Sequence, residues 1–405
     1  MTDHRPIETP ARPGAWPEVF IVFLKLGLTS FGGPIAHLGY FREALVVRRR
    51  WLSEAAYGEL VALCQFLPGP ASSQVGFAIG LSRAGPLGAL AAWVGFTLPS
   101  ALMLIAFAYG AGAMRGPGAL GLLHGLKLVA VAVVAQAVMG MTRTLTPDAR
   151  RAGIALAAVF LATAASAVLG QVMAIVLGAL AGLVMCREAS AAAPAPTPFA
   201  LSRRAGFAAA IVFLALLVGA PLAAEVTGSR TLDYFNAFYR SGALVFGGGH
   251  VVLPLLSEAV VRPGWVDPDA FLAGYGAAQA VPGPLFSFAG YLGAVMAKPP
   301  SGLAGAGLAI AGIFLPGLLV LVAALPFWSR LRGRTDVRAA MRGASAAVVG
   351  ILAAALYDPV WISAVADRSD FAAVATGFVL LTMFRTPPVM VVGLGAVFGV
   401  VRALA

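Results

Sequence analysis

Acidic side chains are scarce in this chain of 405 residues: aspartate and glutamate total 17, and all charged types together make up 11%. Soluble domains carry roughly a quarter charged residues, so this composition cannot supply a water-facing exterior. Cysteine is nearly missing. Cys64 and Cys186 stand far apart and outside any CxxC spacing, which excludes a disulfide framework and a cysteine-based metal site. There is no HExxH, no phosphate loop ending in Gly-Lys-Ser/Thr and no GxSxG with partners, so neither an enzyme nor a bound cofactor or metal is expected. No segment has the composition of a nucleotide-binding domain, which removes an ATP-driven pump. The short alternating segments of a membrane β-barrel are absent as well.

Hydrophobic residues make up 60% of the chain, and its mean hydropathy is +0.89. Apolar segments recur from about residue 18 to the C-terminus, many near the roughly 20 residues that a bilayer requires. This is the pattern of an all-α polytopic membrane protein. The net charge of +11 does not imply nucleic acid, because the cations stand between apolar segments, as in Arg48-Arg49-Arg50, Arg150-Arg151, Arg203-Arg204 and from Arg330 to Arg342. Positive loops beside spans are what membrane insertion selects on the cytoplasmic side. Residues 1–17 are polar and proline-rich rather than a charged-then-apolar leader. The first hydrophobic segment is therefore expected to be retained, in a multi-pass protein of a bacterial inner membrane.

The chain was built twice from one unit. Phe31-Gly32-Gly33 followed by Gln65-Phe66-Leu67-Pro68-Gly69-Pro70 returns about 215 positions later as Phe246-Gly247-Gly248 followed by Gln279-Ala280-Val281-Pro282-Gly283-Pro284. Between these anchors Phe20 matches Phe235, Phe23 matches Phe238, Gly27 matches Gly242 and Lys25 matches Arg240. Glu43 matches Glu258, Trp51 matches Trp265, and further on Pro99 matches Pro316 and His124-Gly125 matches Arg342-Gly343. The division that follows is a polar tail at 1–17, a first repeat at 18–187, a linker at 188–204, an extra span at 205–233 and a second repeat at 234–405.

Loop charge orients the two copies. After its first segment copy one has Arg42, Arg48, Arg49 and Arg50, whereas copy two has Arg262 beside Glu258, Asp267 and Asp269. After the third segment the bias reverses, with Arg115 in copy one against Arg330, Arg332, Arg334, Arg338 and Arg342 in copy two. Equivalent loops of opposite bias face opposite sides, so the repeats read as inverted, an arrangement common in secondary transporters. Within each copy, however, two full crossings would return the chain to the wrong side. The Pro-Gly-Pro segment is the one expected not to cross, because its prolines remove backbone donors and break the helix. Such a re-entrant hairpin must be shielded by protein or line a water-filled cavity. Segment 18–40, broken at Gly32-Gly33-Pro34, is ambiguous in the same way, and about ten to thirteen membrane segments are expected.

Broken helices expose backbone N–H groups with partial positive charge, and glycine lets that backbone approach an anion closely. Gly32, Gly33, Pro68, Gly69 and Pro70, with Gly247, Gly248, Pro282, Gly283 and Pro284, thus suit an oxyanion. Ser72, Ser73 and Gln74 follow one Pro-Gly-Pro and Ser287 the other, while Gln65 and Gln279 precede them. Glycine and proline in membrane helices also serve plain packing, but their duplication favours the binding role. Lys25 and Arg240 each lie seven positions before a motif glycine, on one face of a continuous helix. A cation within a span needs a partner or a task, unless it snorkels to the interface. His37 and His250 follow the glycine motifs without superposing, and His250 is a candidate for proton coupling. Glu43 and Glu258 superpose near the interface and are further coupling candidates. His124 and Lys127, opposite Arg342, would line a path or cap a helix. No intramembrane carboxylate pair is visible.

The run Phe23-Leu24-Lys25-Leu26-Gly27-Leu28-Thr29-Ser30-Phe31-Gly32-Gly33-Pro34, then Trp51, then Gln65 to Pro70, resembles the chromate transporter family. The second half, from Gly242 through Gly248 to Pro282-Gly283-Pro284, is similar to the family's other domain, so the likeness spans about 18–400 in the long, two-domain form. The resemblance implies a secondary transporter that exports chromate from bacteria and confers resistance, driven by an ion gradient. Sulfate is likewise a tetrahedral dianion, and an uptake transporter or channel for sulfate or another oxyanion is the alternative. Expected partners are the oxyanion and membrane lipid, with homo-oligomerisation left open and no nucleic acid. Copy two departs from copy one at Gly249, which replaces Pro34, and at Ala280-Val281, which replace Phe66-Leu67.

Overall fold

The structure, a computed structural model, describes residues 15–113, 116–164, 167–187, 201–246, 248–328 and 334–405. The polar tail up to residue 14, residues 188–200 of the expected linker, Gly247 of the second motif, and Arg115, Arg330 and Arg332 of the charge comparison lie outside the described residues. Among the described residues every regular element is helical. α1 (Trp16–Thr29) stops before Gly32 and Gly33, whose φ of +94° and +79° leave helical space. Pro34 then stands in the first turn of α2 (Gly33–Phe41), where no amide donor is needed, and a π turn carries α2 on to Arg48. α3 (Glu54–Phe66) starts under Ser53, whose hydroxyl accepts from the Ala56 amide at 3.2 Å. It ends because Leu67, placed before proline, is held extended.

α4 (Ala71–Ala113) is two helices joined at Ala84 and Gly85, where φ is −143° and +64°. α5 (Pro117–Leu145), α6 (Ala149–Ala164) and α7 (Ala167–Met185) complete the first repeat, and α8 (Arg203–Thr227) precedes the second. There α9 (Arg230–Ala243) corresponds to α1, and α10 (Val252–Leu256), entered by a turn at Gly249–Val251, corresponds to α2. α11 (Pro268–Ala278), α12 (Phe288–Ala294) and α13 (Gly302–Ala324) correspond to α3 and the two parts of α4. α14 (Thr335–Ala355), extended to Ala364, with α15 (Arg368–Thr382) and α16 (Pro388–Leu404) closes the chain.

The motif-bearing helices are too short to cross a bilayer. α1 and α9 have 14 residues each, α3 has 13 and α11 has 11, about 16–21 Å against a hydrocarbon core of about 30 Å. Contacts at their ends show where they turn back. The Arg83 guanidinium lies 5.2 Å over the Trp51 ring and 3.4 Å from the Glu18 carboxylate, so the start of α1, the loop before α3 and the end of the Pro-Gly-Pro hairpin share one edge. In copy two the Ala297 amide donates to the Trp265 carbonyl at 2.9 Å, and the Trp265 ring packs tilted, centroids 4.6 Å apart, against Tyr234 near the start of α9. Both re-entrant pairs thus begin and end together.

The crossing helices run oppositely. The second part of α4 leaves the Arg83 edge and reaches Gly302, where a Cβ would meet the Tyr109 hydroxyl at 2.8 Å. α13 starts at that Trp265 edge, and the chain just after it buries Trp328 in the first repeat's core, 5.8 Å from the Phe66 ring and 3.2 Å from the Glu59 carboxylate. The two repeats are therefore inverted about the centre of the bundle. Among the described residues five helices are long and apolar enough to cross a membrane: Ala71–Gly112 (folded at Gly85), Pro117–Leu145, Arg203–Thr227, Gly302–Phe327 and Thr335–Ala364. Four shorter apolar helices accompany them. The ten to thirteen segments of the sequence thus resolve into crossing helices plus half-length ones.

Candidate functional site

The breaks of the two repeats are completed by each other. The Gly69 amide donates to the Val245 carbonyl at 2.8 Å, and the Gly283 amide donates to the Ser30 carbonyl at 2.9 Å. Each Pro-Gly-Pro turn therefore caps the broken helix of the opposite repeat, where α1 or α9 has run out of intrahelical partners. A Cβ on Gly249 would lie 3.4 Å from Pro34 Cγ, so the two glycine motifs meet as well. Gly69 and Gly283 hold φ of +115° and +99°, a region that side chains avoid. Gly69 faces Gly317, and Gly283 faces the equivalent Ser100.

Buried polar groups gather around this junction. Gln74 donates to the carbonyls of Pro68 at 2.9 Å and Gly317 at 2.8 Å. Ser100 Oγ stands 2.7 Å from Ser287 Oγ and 2.9 Å from the Thr97 carbonyl it donates to. His37 Nδ1 is 3.4 Å from Ser72 Oγ, and His250 Nδ1 is 2.7 Å from the Tyr275 hydroxyl. The hydroxyls of Ser30, Ser73 and Thr97 and the Gln74 carbonyl oxygen are buried without a hydrogen-bond partner. An unmet buried polar group costs about 1–3 kcal/mol. Three hydroxyl donors in that condition fit an acceptor from outside; the Gln74 oxygen does not. Ser30, Thr97 and Ser100 were not singled out in the sequence, although Ser100 directly follows the matched Pro99.

The other expected residues lie apart from the junction. Lys25 is exposed on α1, away from the buried face of Val19, Val22, Phe23 and Leu26. Arg240 lines a cavity of about 630 Å³ at the Trp265 edge together with Asp233, Asn236, Glu258 and Arg262. Glu43 pairs with Arg48 at 2.8 Å and Glu258 with Arg262 at 2.7 Å. Gln279 donates weakly to the Tyr275 carbonyl at 3.4 Å. Gln65 lines a second cavity, of about 170 Å³, with Phe66, Thr144, Leu145, Arg151, Arg338, Met341, Arg342 and Ser345. Asp148 beside it bonds Arg151 at 2.5 Å, and the Arg151 amide and guanidinium hold that carboxyl below its ordinary range.

A buried carboxylate that the sequence did not single out is present: Asp370 is fully inaccessible, accepts from the Ala366 amide at 2.9 Å, lies 2.8 Å from His124 Nε2 and pairs with Arg402. Arg402 also bonds Asp367, and Lys127 bonds Asp269 at 2.8 Å. Asp367-Arg368-Ser369-Asp370 reads in sequence as an ordinary helix start, with Asp367 accepting from the Ser369 and Asp370 amides. Its ionic partners come from α5 and α16.

The chromate transporter family model matches residues 17–183 and again 232–400. A chromate transport protein of Pseudomonas aeruginosa is 30% identical over 363 residues, covering 87% of this chain and 83% of that protein. A chromate transport protein of Cupriavidus metallidurans is 27% identical over 95% of this chain and 92% of its own. An uncharacterized transporter of Methanocaldococcus jannaschii is 24% identical over 83% of this chain and 82% of its own. No solved structure matches. With the double match covering most of the chain, and a helical fold of two inverted repeats joined at their breaks, this multi-pass membrane protein belongs to the chromate transporter family.

Proposed function

We propose that this protein is a secondary transporter that exports chromate across the bacterial inner membrane, driven by an ion gradient, and so confers chromate resistance. The observation that carries the reading is the junction. Two half-helix breaks are capped by reciprocal bonds from Gly69 and Gly283 to the opposite repeat, with the Ser30, Ser73 and Thr97 hydroxyls buried and unpartnered beside them. Backbone amides at the starts of α2 and α4, together with those hydroxyls, would replace the water around a tetrahedral dianion. Gly32, Gly33, Ser72 and the Gly248 and Ser287 region complete the same lining. Repeats 18–187 and 234–405 would rock against each other, breaking and remaking the reciprocal bonds, while residues 205–233 set the second copy's inversion.

Charge supports an orientation. The Arg83 edge bears the run Arg48-Arg49-Arg50 beside Trp51, whereas at the Trp265 edge Arg240, Arg262 and Lys127 are balanced by Asp233, Glu258, Asp267 and Asp269. The positive edge faces the cytoplasm. Arg240, Glu258 and the 630 Å³ cavity then open toward the periplasm. Lys25 remains a compensating cation only if α1 turns during transport.

The test is chromate flux in everted membrane vesicles under an imposed proton gradient. Accumulation inside, abolished by a protonophore and competed by sulfate according to affinity, is the expected result. Accumulation only in right-side-out vesicles would replace export with oxyanion uptake. Flux that continues without any gradient would make the protein a channel.

A further inference from the structure

We propose that the 630 Å³ cavity at the Trp265 edge is a lipid site, which holds a phospholipid whose headgroup carries both a phosphate and a primary ammonium. Lipid recognition there goes beyond transport and does not depend on it. Asp233, Asn236, Arg240 and Leu244 recur at spacings of three and four, so one face of α9 and the residue after it form a wall. Gln171 and Val172 of α7 complete it, with Leu255, Glu258 and Arg262 from α10 and the turn that follows. Trp265 at the rim packs against Tyr234, an aromatic pair of the kind that sits at headgroup level. The volume lies within the roughly 300–1,000 Å³ of small-molecule sites.

Three polar groups of this wall are unmet. Among the described residues neither the Asp233 carboxylate nor the Arg240 guanidinium makes a hydrogen bond or ion pair within the protein, and Asn236 Oδ1 is buried without a donor. Arg262 and Glu258, by contrast, satisfy each other at 2.7 Å. A cation set into a helix of a membrane protein needs a partner. A simple oxyanion would meet Arg240, but it would be repelled by Asp233 and would leave the Asn236 oxygen without a donor. A zwitterion answers all three groups. Its phosphate accepts from the planar fork of Arg240, and its ammonium donates to Asp233 and Asn236.

The order of groups along α9 is also the order along a phospholipid. Asp233 stands in the first turn, Arg240 about 10 Å further in and Leu244 about 6 Å beyond that. Side chains on a helix lean toward its start, which carries the Arg240 guanidinium back toward Asn236. Ammonium, phosphate and acyl chains thus meet, in turn, the carboxylate, the guanidinium and the apolar wall of Leu244, Leu255 and Ala259. Met173 and Val176, exposed on α7 next to Val172, give the chains a path into the bilayer. Copy one does not repeat the set. Its matching positions are Glu18, Ile21 and Lys25, and Glu18 is already paired with Arg83.

The experiment is thermal unfolding of the full chain in maltoside detergent, titrated with dioctanoyl phosphatidylethanolamine, dioctanoyl phosphatidylglycerol or phosphoethanolamine without chains. The ethanolamine lipid should raise the melting temperature saturably and at lower concentration than the glycerol lipid, while phosphoethanolamine does nothing in the same range. Arg240→Gln should weaken both lipids roughly tenfold, and Asp233→Asn should weaken only the ethanolamine lipid, erasing the preference. Arg240→Lys should recover part of the loss. If Arg240→Gln does not fold, Asp233→Asn and Arg240→Lys are read against the same criteria. Equal response to the two lipids in wild type, or unchanged response in the variants, overturns the site. A shift from phosphoethanolamine equal to that from the lipid would make the ligand a soluble zwitterion and overturn the lipid assignment. Neither outcome depends on chromate flux.

Discussion

Replacing Gly283 by alanine tests the junction at its tightest point. Its φ of +99° lies where a Cβ costs about 1–3 kcal/mol. The new Cβ would also sit 2.9 Å from Ser100 Oγ and 3.2 Å from the Phe96 carbonyl oxygen. Ser100 cannot swing aside freely, because its hydroxyl bonds Ser287 at 2.7 Å and the Thr97 carbonyl at 2.9 Å. Losing those bonds adds about 1 kcal/mol each. The sum is about 3–5 kcal/mol, on the order of a 4–6 °C fall in melting temperature for a chain of this size. Gly69→Ala should behave alike, since its φ is +115° and its Cβ would meet Gly317 Cα at 2.9 Å. The control is Gly140→Ala on α5, where nothing lies within 4 Å. There alanine should be neutral or gain up to about 1 kcal/mol of helix propensity. Thermal unfolding of the detergent-purified protein at fixed scan rate, paired with chromate flux, reads all three. A Gly283→Ala protein with wild-type melting and flux would refute the reciprocal capping.

Ser73→Ala should separate stability from binding: its hydroxyl has no partner, so melting should hold or rise while the apparent KM for chromate increases in vesicle flux. Asp370→Asn leaves the partly exposed Arg402 and His124 facing a buried neutral group, and should destabilise by about 1–3 kcal/mol, visible as lower membrane yield and melting temperature. Gly27→Ala places a Cβ 2.7 Å from the Phe96 carbonyl oxygen where α1 crosses α4; overpacking of about 1–3 kcal/mol is expected, with melting temperature as the check. Sulfate should inhibit chromate flux competitively, because amides and hydroxyls read charge and tetrahedral shape; a sulfate excess without effect would show that some other feature selects the substrate.

The repeat and the incomplete crossings were legible because each leaves a local signature. Matched Gly and Pro residues recur at one offset, and loop charge fixes which side each segment returns to. Trp51 beside Arg83 and Trp265 beside Ala297 are the spatial form of that parity. Other features depend on contacts that no local pattern encodes. Ser100 and Ser287 meet across 187 positions, and each alone is an ordinary serine in an apolar helix. Asp370 gains its ionic partners from residues 246 positions before it and 32 after it. Lys25 shows a different limit. A spacing of seven keeps one face only while the helix continues, and α1 ends at Thr29, before Gly32. Helical phase does not carry across a break.

That lost phase is also what gives the breaks their use. A continuous helix satisfies its own amides and carbonyls and has nothing to offer a ligand or a neighbour. Interrupting α1 and α9 leaves the Ser30 and Val245 carbonyls to be met by Gly283 and Gly69 from the other repeat. Each half is thereby completed by bonds that the other half can withdraw, each worth about 0.5–1.5 kcal/mol net. Such bonds fix the register of the repeats yet fall well below the several kcal/mol that desolvating a dianion requires. In the proposed transport cycle, substrate binding would exchange them, and the inverted geometry would close one edge as the other opens.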